Sequence, residues 1–239
     1  MARRRYRPFL RTVGATLAAS STIIVRDRLG RLRPDDVDAV LQTWQRRVFA
    51  AGDARLVVEG VERYTDAAAP TRHPYVVMTN HQSLLDVPTV VATWPGRVRM
   101  VGKVELSRVP VWGQAMRAIG IVFVDRGDRT QSLQALEQAK EQLRAGTSIW
   151  IAPEGTRHAD GELGPLKKGG FHLACALGAP IAPAWIDGTA RVIAPDSFGV
   201  HTGGTVTIRY GEPIATAGRD PASLVDEVRA ALLALRPAA

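Results

Sequence analysis

His81 and Asp86 lie in the run Thr79-Asn80-His81-Gln82-Ser83-Leu84-Leu85-Asp86, with four residues between them. That spacing lets a carboxylate reach an imidazole. A carboxylate on one ring nitrogen fixes the tautomer and leaves the other nitrogen free to accept a proton, which is the arrangement of a general base. The same spacing also fits a His capping a helix with an Asp on the helix's solvated face, so the pair does not specify the chemistry by itself.

The elements around it narrow the choice. The pair follows the apolar run Tyr75-Val76-Val77-Met78. Two further apolar runs end abruptly in polar clusters: Gly120-Ile121-Val122-Phe123-Val124 before Asp125-Arg126, and Ser148-Ile149-Trp150-Ile151-Ala152 before Pro153-Glu154-Gly155-Thr156-Arg157. Val98-Arg99-Met100-Val101 before Gly102-Lys103 is a fourth. Short apolar runs of this kind read as buried strands. In an open parallel sheet the carboxyl ends of the strands share one edge, where ligands bind, so these clusters are expected to converge there.

In order and interval, the His81-x4-Asp86 block, Gly120 to Arg126, Pro153 to Arg157 and Ala179-Pro180-Ile181-Ala182-Pro183 resemble the four motifs of the glycerolipid acyltransferase family. The likeness is nearest to the bacterial members that acylate 1-acylglycerol 3-phosphate, and it covers residues 55 to 215. It implies transfer of a fatty acyl group from a thioester to a lysophospholipid hydroxyl, giving phosphatidic acid, with no covalent enzyme intermediate. His81 would be the base, and Asp86 would orient it. Arg126 and Arg157 would hold the acceptor phosphate through their planar forks. Glu154 would orient Arg157 or a substrate hydroxyl, Gly155 would allow close backbone approach, Thr156 would offer a hydroxyl, and Lys103 would support an oxyanion or phosphate. Lys167-Lys168-Gly169-Gly170 would open a helix toward an anion, and Pro180 and Pro183 would shape an apolar groove wall. Ser83 matches no nucleophile-elbow pattern and is expected to be structural. The donor would be acyl-coenzyme A or acyl carrier protein, a substrate rather than a cofactor.

The rest of the chain is read by pattern. Pro34 to Gly52 predicts a helix with Val37, Val40, Leu41, Trp44 and Val48 on one face; Trp44 would sit in the core or at a headgroup interface. Arg55 to Val61 and Thr205 to Tyr210 are strand-like, and 65 to 72 reads as a loop. Thr130 to Leu143 predicts a helix with Leu133, Leu136 and Leu143 inward. A last helix begins at Asp220-Pro221, with Leu224, Val225, Val228 and Leu232 on one face. Alternating strands and helices indicate an α/β fold, a mixed, largely parallel sheet flanked by helices. The expected division is an N-terminal basic, amphipathic two-helix segment over 1–53 and an acyltransferase domain over 54–239.

The 239-residue chain carries a formal net charge of +8, concentrated in Arg3, Arg4, Arg5, Arg7 and Arg11. The stretch Val13 to Val25 that follows is too short and too rich in Ser, Thr and Gly for a spanning helix of about twenty apolar residues. It resembles a signal peptide, but a cytosolic acyl donor argues against export. The preferred expectation is a helix lying on an anionic surface, at the cytoplasmic face of the cell membrane.

Other chemistries fit poorly. The single Cys175 rules out an intrachain disulfide. Gly96 to Lys103 mimics a phosphate loop but has one residue too many between its glycines, and Val104 stands where Ser or Thr is required. There is no His-Glu-x-x-His, and His73, His158, His172 and His201 lack ligand spacing, so no metal is expected. No nucleic-acid motif accompanies the basic charge. Glycerol 3-phosphate, an ornithine lipid or a transacylase reaction remain alternatives. So does a non-catalytic lipid-binding protein of the same fold.

Overall fold

The computed structural model describes residues 3–65, 74–125, 127–158, 161–194 and 199–237. Its elements run α1 (Arg3–Arg28), α2 (Pro34–Gly52), β1 (Arg55–Glu59), β2 (Val76–Thr79), α3 (Asp86–Thr93), β3 (Val98–Lys103), α4 (Trp112–Ala118), β4 (Val122–Val124), α5 (Arg129–Arg144), β5 (Ser148–Ile151), α6 (Gly169–Leu177), β6 (Ile181–Asp187), α7 (Thr189–Val192), β7 (Thr205–Tyr210) and α8 (Pro221–Ala234). Most of the loop expected over 65–72 lies outside the described residues.

Among the described residues the strands form one sheet in the order β1-β7-β6-β2-β5-β3-β4. All neighbouring pairs are parallel except β6 with β7, which is antiparallel. The α/β, mixed and largely parallel sheet expected from the alternation is therefore present. Strands β2, β5 and β6 are apolar except at their ends, Thr79, Ser148 and Asp187, because both sheet faces are covered. The pleat sends Val76 and Met78 into one layer, with Ile149, Trp185 and the inner faces of α5, α6 and α8. Tyr75 and Val77 enter the opposite layer with Val90, Trp94, Ala182 and Ile208. Since β2, β5, β3, β4 and β6 run the same way, their carboxyl ends form one edge.

Two local expectations are corrected. Pro183 lies inside central strand β6, opposite Met78, and is no groove wall. It is tolerated there because the β7 ladder begins only at Ala184, so the missing N–H interrupts nothing on that side. In α5 the inward stripe is Ala135, Ala139 and Leu143 with Leu136 on its flank, while Leu133 falls off the 3.6-residue period and is exposed. Asp128 caps this helix, accepting the Thr130 and Gln131 N–H groups at 2.8 and 3.1 Å.

The N-terminal pair packs as an antiparallel hairpin. Trp44 goes to its seam, where Nε1 donates to Thr16 Oγ1 at 3.0 Å, and Arg26 meets Asp36 at 2.7 Å. On α2, Asp38 accepts from Arg97 Nε and from the buried Arg99, each at 3.0 Å, which ties the helix to the start of β3. Val48 and Phe49 pack on Leu85 and Val206. The apolar stretch is longer than Val13 to Val25 suggested. Helix α1 continues back through Tyr6 and Leu10, and its Tyr6–Arg28 portion is long and apolar enough by length and composition to cross a membrane. Pro8, Ala15, Ser20 and Ile23 face the protein, while Tyr6, Leu10, Leu17 and Val25 face outward.

Candidate active site

Strand β2 ends at Thr79, and the chain turns through Asn80 and His81 into α3, whose first residue is Asp86. Asp86 is fully buried. Its Oδ2 accepts from His81 Nδ1 at 2.7 Å and from the N–H groups of Gln82 and Ser83 at 2.8 and 2.9 Å. Its Oδ1 accepts from the Thr189 hydroxyl at 2.6 Å. Four donors thus converge on this carboxylate, and a carboxylate only accepts. His81 therefore carries its proton on Nδ1, leaving a lone pair on Nε2. The His81 side chain keeps 20% of its exposure, enough for a substrate hydroxyl to approach the ring. Trp150 stands edge-on to that ring, with centroids 6.0 Å apart, and its indole N–H is anchored on Thr79 Oγ1 at 3.0 Å.

Adjacent β5 delivers the second cluster. Glu154 was expected against Arg157 or a substrate hydroxyl. Instead it is buried, with Oε1 accepting the backbone N–H of His81 at 2.7 Å and Oε2 that of Gly164 at 2.8 Å. Burial raises its carboxyl above the usual glutamate range, against the lowering effect of the two amides and of nearby His158 and His81. The His158 N–H donates to the His81 carbonyl at 2.8 Å, so the β5 loop grips both sides of the His81 main chain. Gly164 permits this approach with the His158 ring in place: a Cβ there would sit 2.6 Å from His158 Nε2. Arg229 of α8 donates to the Gly164 and Leu163 carbonyls from behind, at 2.9 and 3.0 Å.

The remaining expected residues divide. Gly155 adopts φ 70°, a left-handed turn natural to glycine. Thr156 is exposed and Arg157 half-buried on the same loop, and Lys103 is exposed where β3 ends. The parallel register of β2, β5 and β3 puts these residues on the His81 edge. Arg126, expected after β4, lies outside the described residues. The helix expected after Lys168 opens at Gly169. Ser83 is structural in geometry, its Oγ donating to the Ile193 carbonyl at 2.6 Å and accepting from the Leu85 N–H.

Thr189 and Asn80 were missed. The Asn80 side chain pairs with both backbone groups of Ile186, at 2.7 and 2.9 Å. The signal for Thr189 was available, since Ile181 to Ile186 is one more apolar run ending in a polar cluster, Asp187-Gly188-Thr189.

The site thus defines a class: an α/β protein with a carboxylate-oriented imidazole at the carboxyl edge of its sheet and, among the described residues, no nucleophile elbow beside it. The chain belongs to the acyltransferase family, whose model matches residues 55–187. It is 33% identical over 172 residues to the 1-acyl-sn-glycerol-3-phosphate acyltransferase BAT2 of Brassica napus, covering 72% of this chain and 48% of that protein. With the human 1-acyl-sn-glycerol-3-phosphate acyltransferase alpha it shares 32% identity over 183 residues, 75% of this chain and 62% of the relative. The chain spans about half the length of the first plant and yeast relatives it matches. The crystal structure of the 1-acyl-sn-glycerophosphate acyltransferase PlsC from Thermotoga maritima superposes with a TM-score of 0.80 at 26% identity, covering 99% of this chain and 98% of that one.

Proposed function

We propose that this protein transfers a fatty acyl group from a thioester to the free hydroxyl of 1-acylglycerol 3-phosphate, giving phosphatidic acid. The observation that carries the reading is the buried, four-donor Asp86 holding Nδ1 of His81 while Nε2 keeps its lone pair. In this mechanism Nε2 takes the hydroxyl proton as the acceptor oxygen attacks the thioester carbonyl. The new C–O bond gives a tetrahedral oxyanion, whose collapse breaks the C–S bond, and His81 returns the proton to the departing thiolate. Asp86 stabilises the intervening imidazolium. Arg126 and Arg157 hold the acceptor phosphate, assisted by Thr156 and by Lys103 where negative charge gathers, and Gly155 lets substrate approach the backbone. Glu154 acts through the His81 main chain.

The donor is acyl-coenzyme A or acyl carrier protein, and no cofactor takes part. The outward face of α1, with exposed Arg7 and Arg11 beside Tyr6 and Leu10, supports attachment to the cytoplasmic face of the cell membrane. Phe9, near the start of α1, packs on the apolar cluster that includes Leu85 of the motif loop, which supports a membrane contact near the catalytic edge. The test is an activity panel on purified protein. Acyl-coenzyme A and acyl carrier protein thioesters are crossed with 1-acylglycerol 3-phosphate, glycerol 3-phosphate and an ornithine lipid acceptor, with His81→Ala as the control. Turnover confined to 1-acylglycerol 3-phosphate supports the proposal, whereas preference for another acceptor, or none, overturns it.

A further inference from the structure

The Asp86 carboxylate has two oxygens in different hands. Oδ2 is held by the loop of its own motif, His81, Gln82 and Ser83, but Oδ1 is held, among the described residues, only by Thr189, contributed from beyond β6 and 103 residues along the chain. Thr189 has no exposed surface, so it cannot meet substrate. Its placement is specific. It opens α7 immediately after Gly188, whose φ of 88° and whose Cβ position, 2.2 Å from the Thr205 carbonyl oxygen, exclude any side chain. The same β6–α7 stretch takes the Asn80 side chain on Ile186 and the Ser83 hydroxyl on Ile193. The motif loop is therefore tied to this stretch at three points, one of which is the carboxylate that orients the base.

We propose that Thr189 is a positioning residue for the acyl transfer reaction, fixing the rotation of the Asp86 carboxylate and moderating its hold on the His81 imidazolium. The inference rests on the reading of His81 as the general base. A buried carboxylate anchored at one oxygen is held less firmly against rotation about its Cβ–Cγ bond than one anchored at both, and any such rotation shifts the ring it orients. Losing the Thr189 donor also leaves more negative charge on Oδ2, which grips the imidazolium more strongly. Protonated His81 is then favoured, and higher pH is needed to restore the neutral base. Among the described residues, the other titratable groups beside His81 are Glu154, on its backbone N–H, and His158, 3.7 Å from Glu154. Neither contacts Thr189 among the described residues.

The experiment compares Thr189→Val, which keeps shape but removes the hydroxyl, with Thr189→Ser, which keeps the hydroxyl. In Thr189→Val, kcat should fall by roughly ten- to a hundredfold, the kinetic equivalent of one charge-assisted hydrogen bond, with both substrate KM values unchanged. The acidic limb of its pH–rate profile should move to higher pH. Thr189→Ser should recover most of the rate and the original limb. Placed on Asp86→Asn, Thr189→Val should add little further loss, because both act through one carboxylate. Should Thr189→Val not fold, Thr189→Ala against Thr189→Ser makes the same comparison. Wild-type turnover and limb in a folded hydroxyl-free variant, or equal losses with serine, overturn the proposal while leaving the base intact. Near-normal turnover in folded His81→Ala would instead remove the reading on which it rests.

Discussion

The carboxylate of Glu154 holds the main chain of His81, its Oε1 accepting the His81 N–H at 2.7 Å while Oε2 accepts that of Gly164 at 2.8 Å. A carboxyl, ionised or protonated, offers an oxygen to each amide, whereas the glutamine nitrogen offers none. Glu154→Gln should therefore cost about 1–3 kcal/mol of stability at the acid end and lower turnover by freeing the His81 peptide. Burial raises the Glu154 carboxyl, so native protein keeps a proton at pH values where the unfolded chain has lost it. Its contribution is then full below the ordinary glutamate range and falls as pH rises through the raised value. Urea midpoints of both proteins between about pH 4 and pH 7 should show the wild-type margin narrowing with rising pH. A margin that widens would contradict the burial argument.

Removing the base should abolish acyl transfer without unfolding the protein. His81 is partly exposed, and its ring meets the edge of Trp150 without packing into the core. His81→Ala should lose roughly a hundred- to ten-thousandfold in kcat with its circular dichroism spectrum retained. Asp86→Asn is expected to be worse for folding, because a fully buried amide nitrogen would face donors that the carboxylate now satisfies.

Arginines that bind acceptor phosphate separate the two substrates. Arg157→Ala, and independently Arg126→Ala, should raise the acceptor KM far more than the donor KM. Steady-state kinetics with each substrate varied in turn gives both constants. Unchanged acceptor KM in either variant returns that arginine to a structural ion pair.

Membrane attachment is better tested by surface substitution than by deleting residues 1–30, since deletion would uncover what Pro8, Ala15 and Ile23 pack against. Leu10, Leu17 and Val25 are 63%, 48% and 56% exposed, so changing all three to Ser leaves the packed face of α1 untouched. Sedimentation with anionic vesicles should weaken in the triple variant, and in the wild type on raising salt, because the arginine contribution is screened. Binding indifferent to both would move the contact to another surface.

Chemistry carried by neighbours in sequence was legible without coordinates. His81 and Asp86 are joined by one short loop, and the apolar runs that became β2 and β5 announce themselves because strands buried on both faces tolerate few polar residues, while the half-buried β3 and β4 show the same run less cleanly. The sheet class and the shared edge followed from that alternation. What the sequence could not decide was partnership across distance. The resemblance assigned Glu154 to Arg157 or a substrate hydroxyl, yet tertiary structure turned it inward onto the His81 backbone, since an amide N–H leaves no trace in a side-chain pattern. Thr189 escaped although it follows an apolar run like the others, because nothing local ties its hydroxyl to a carboxylate 103 residues away. Leu133 and Pro183 show the reverse limit, because apolar residue type alone does not say which side of a helix or which strand interior will receive it. Local spacing is written along one chain; the donors that satisfy a buried charge come from whichever strand the fold brings beside it.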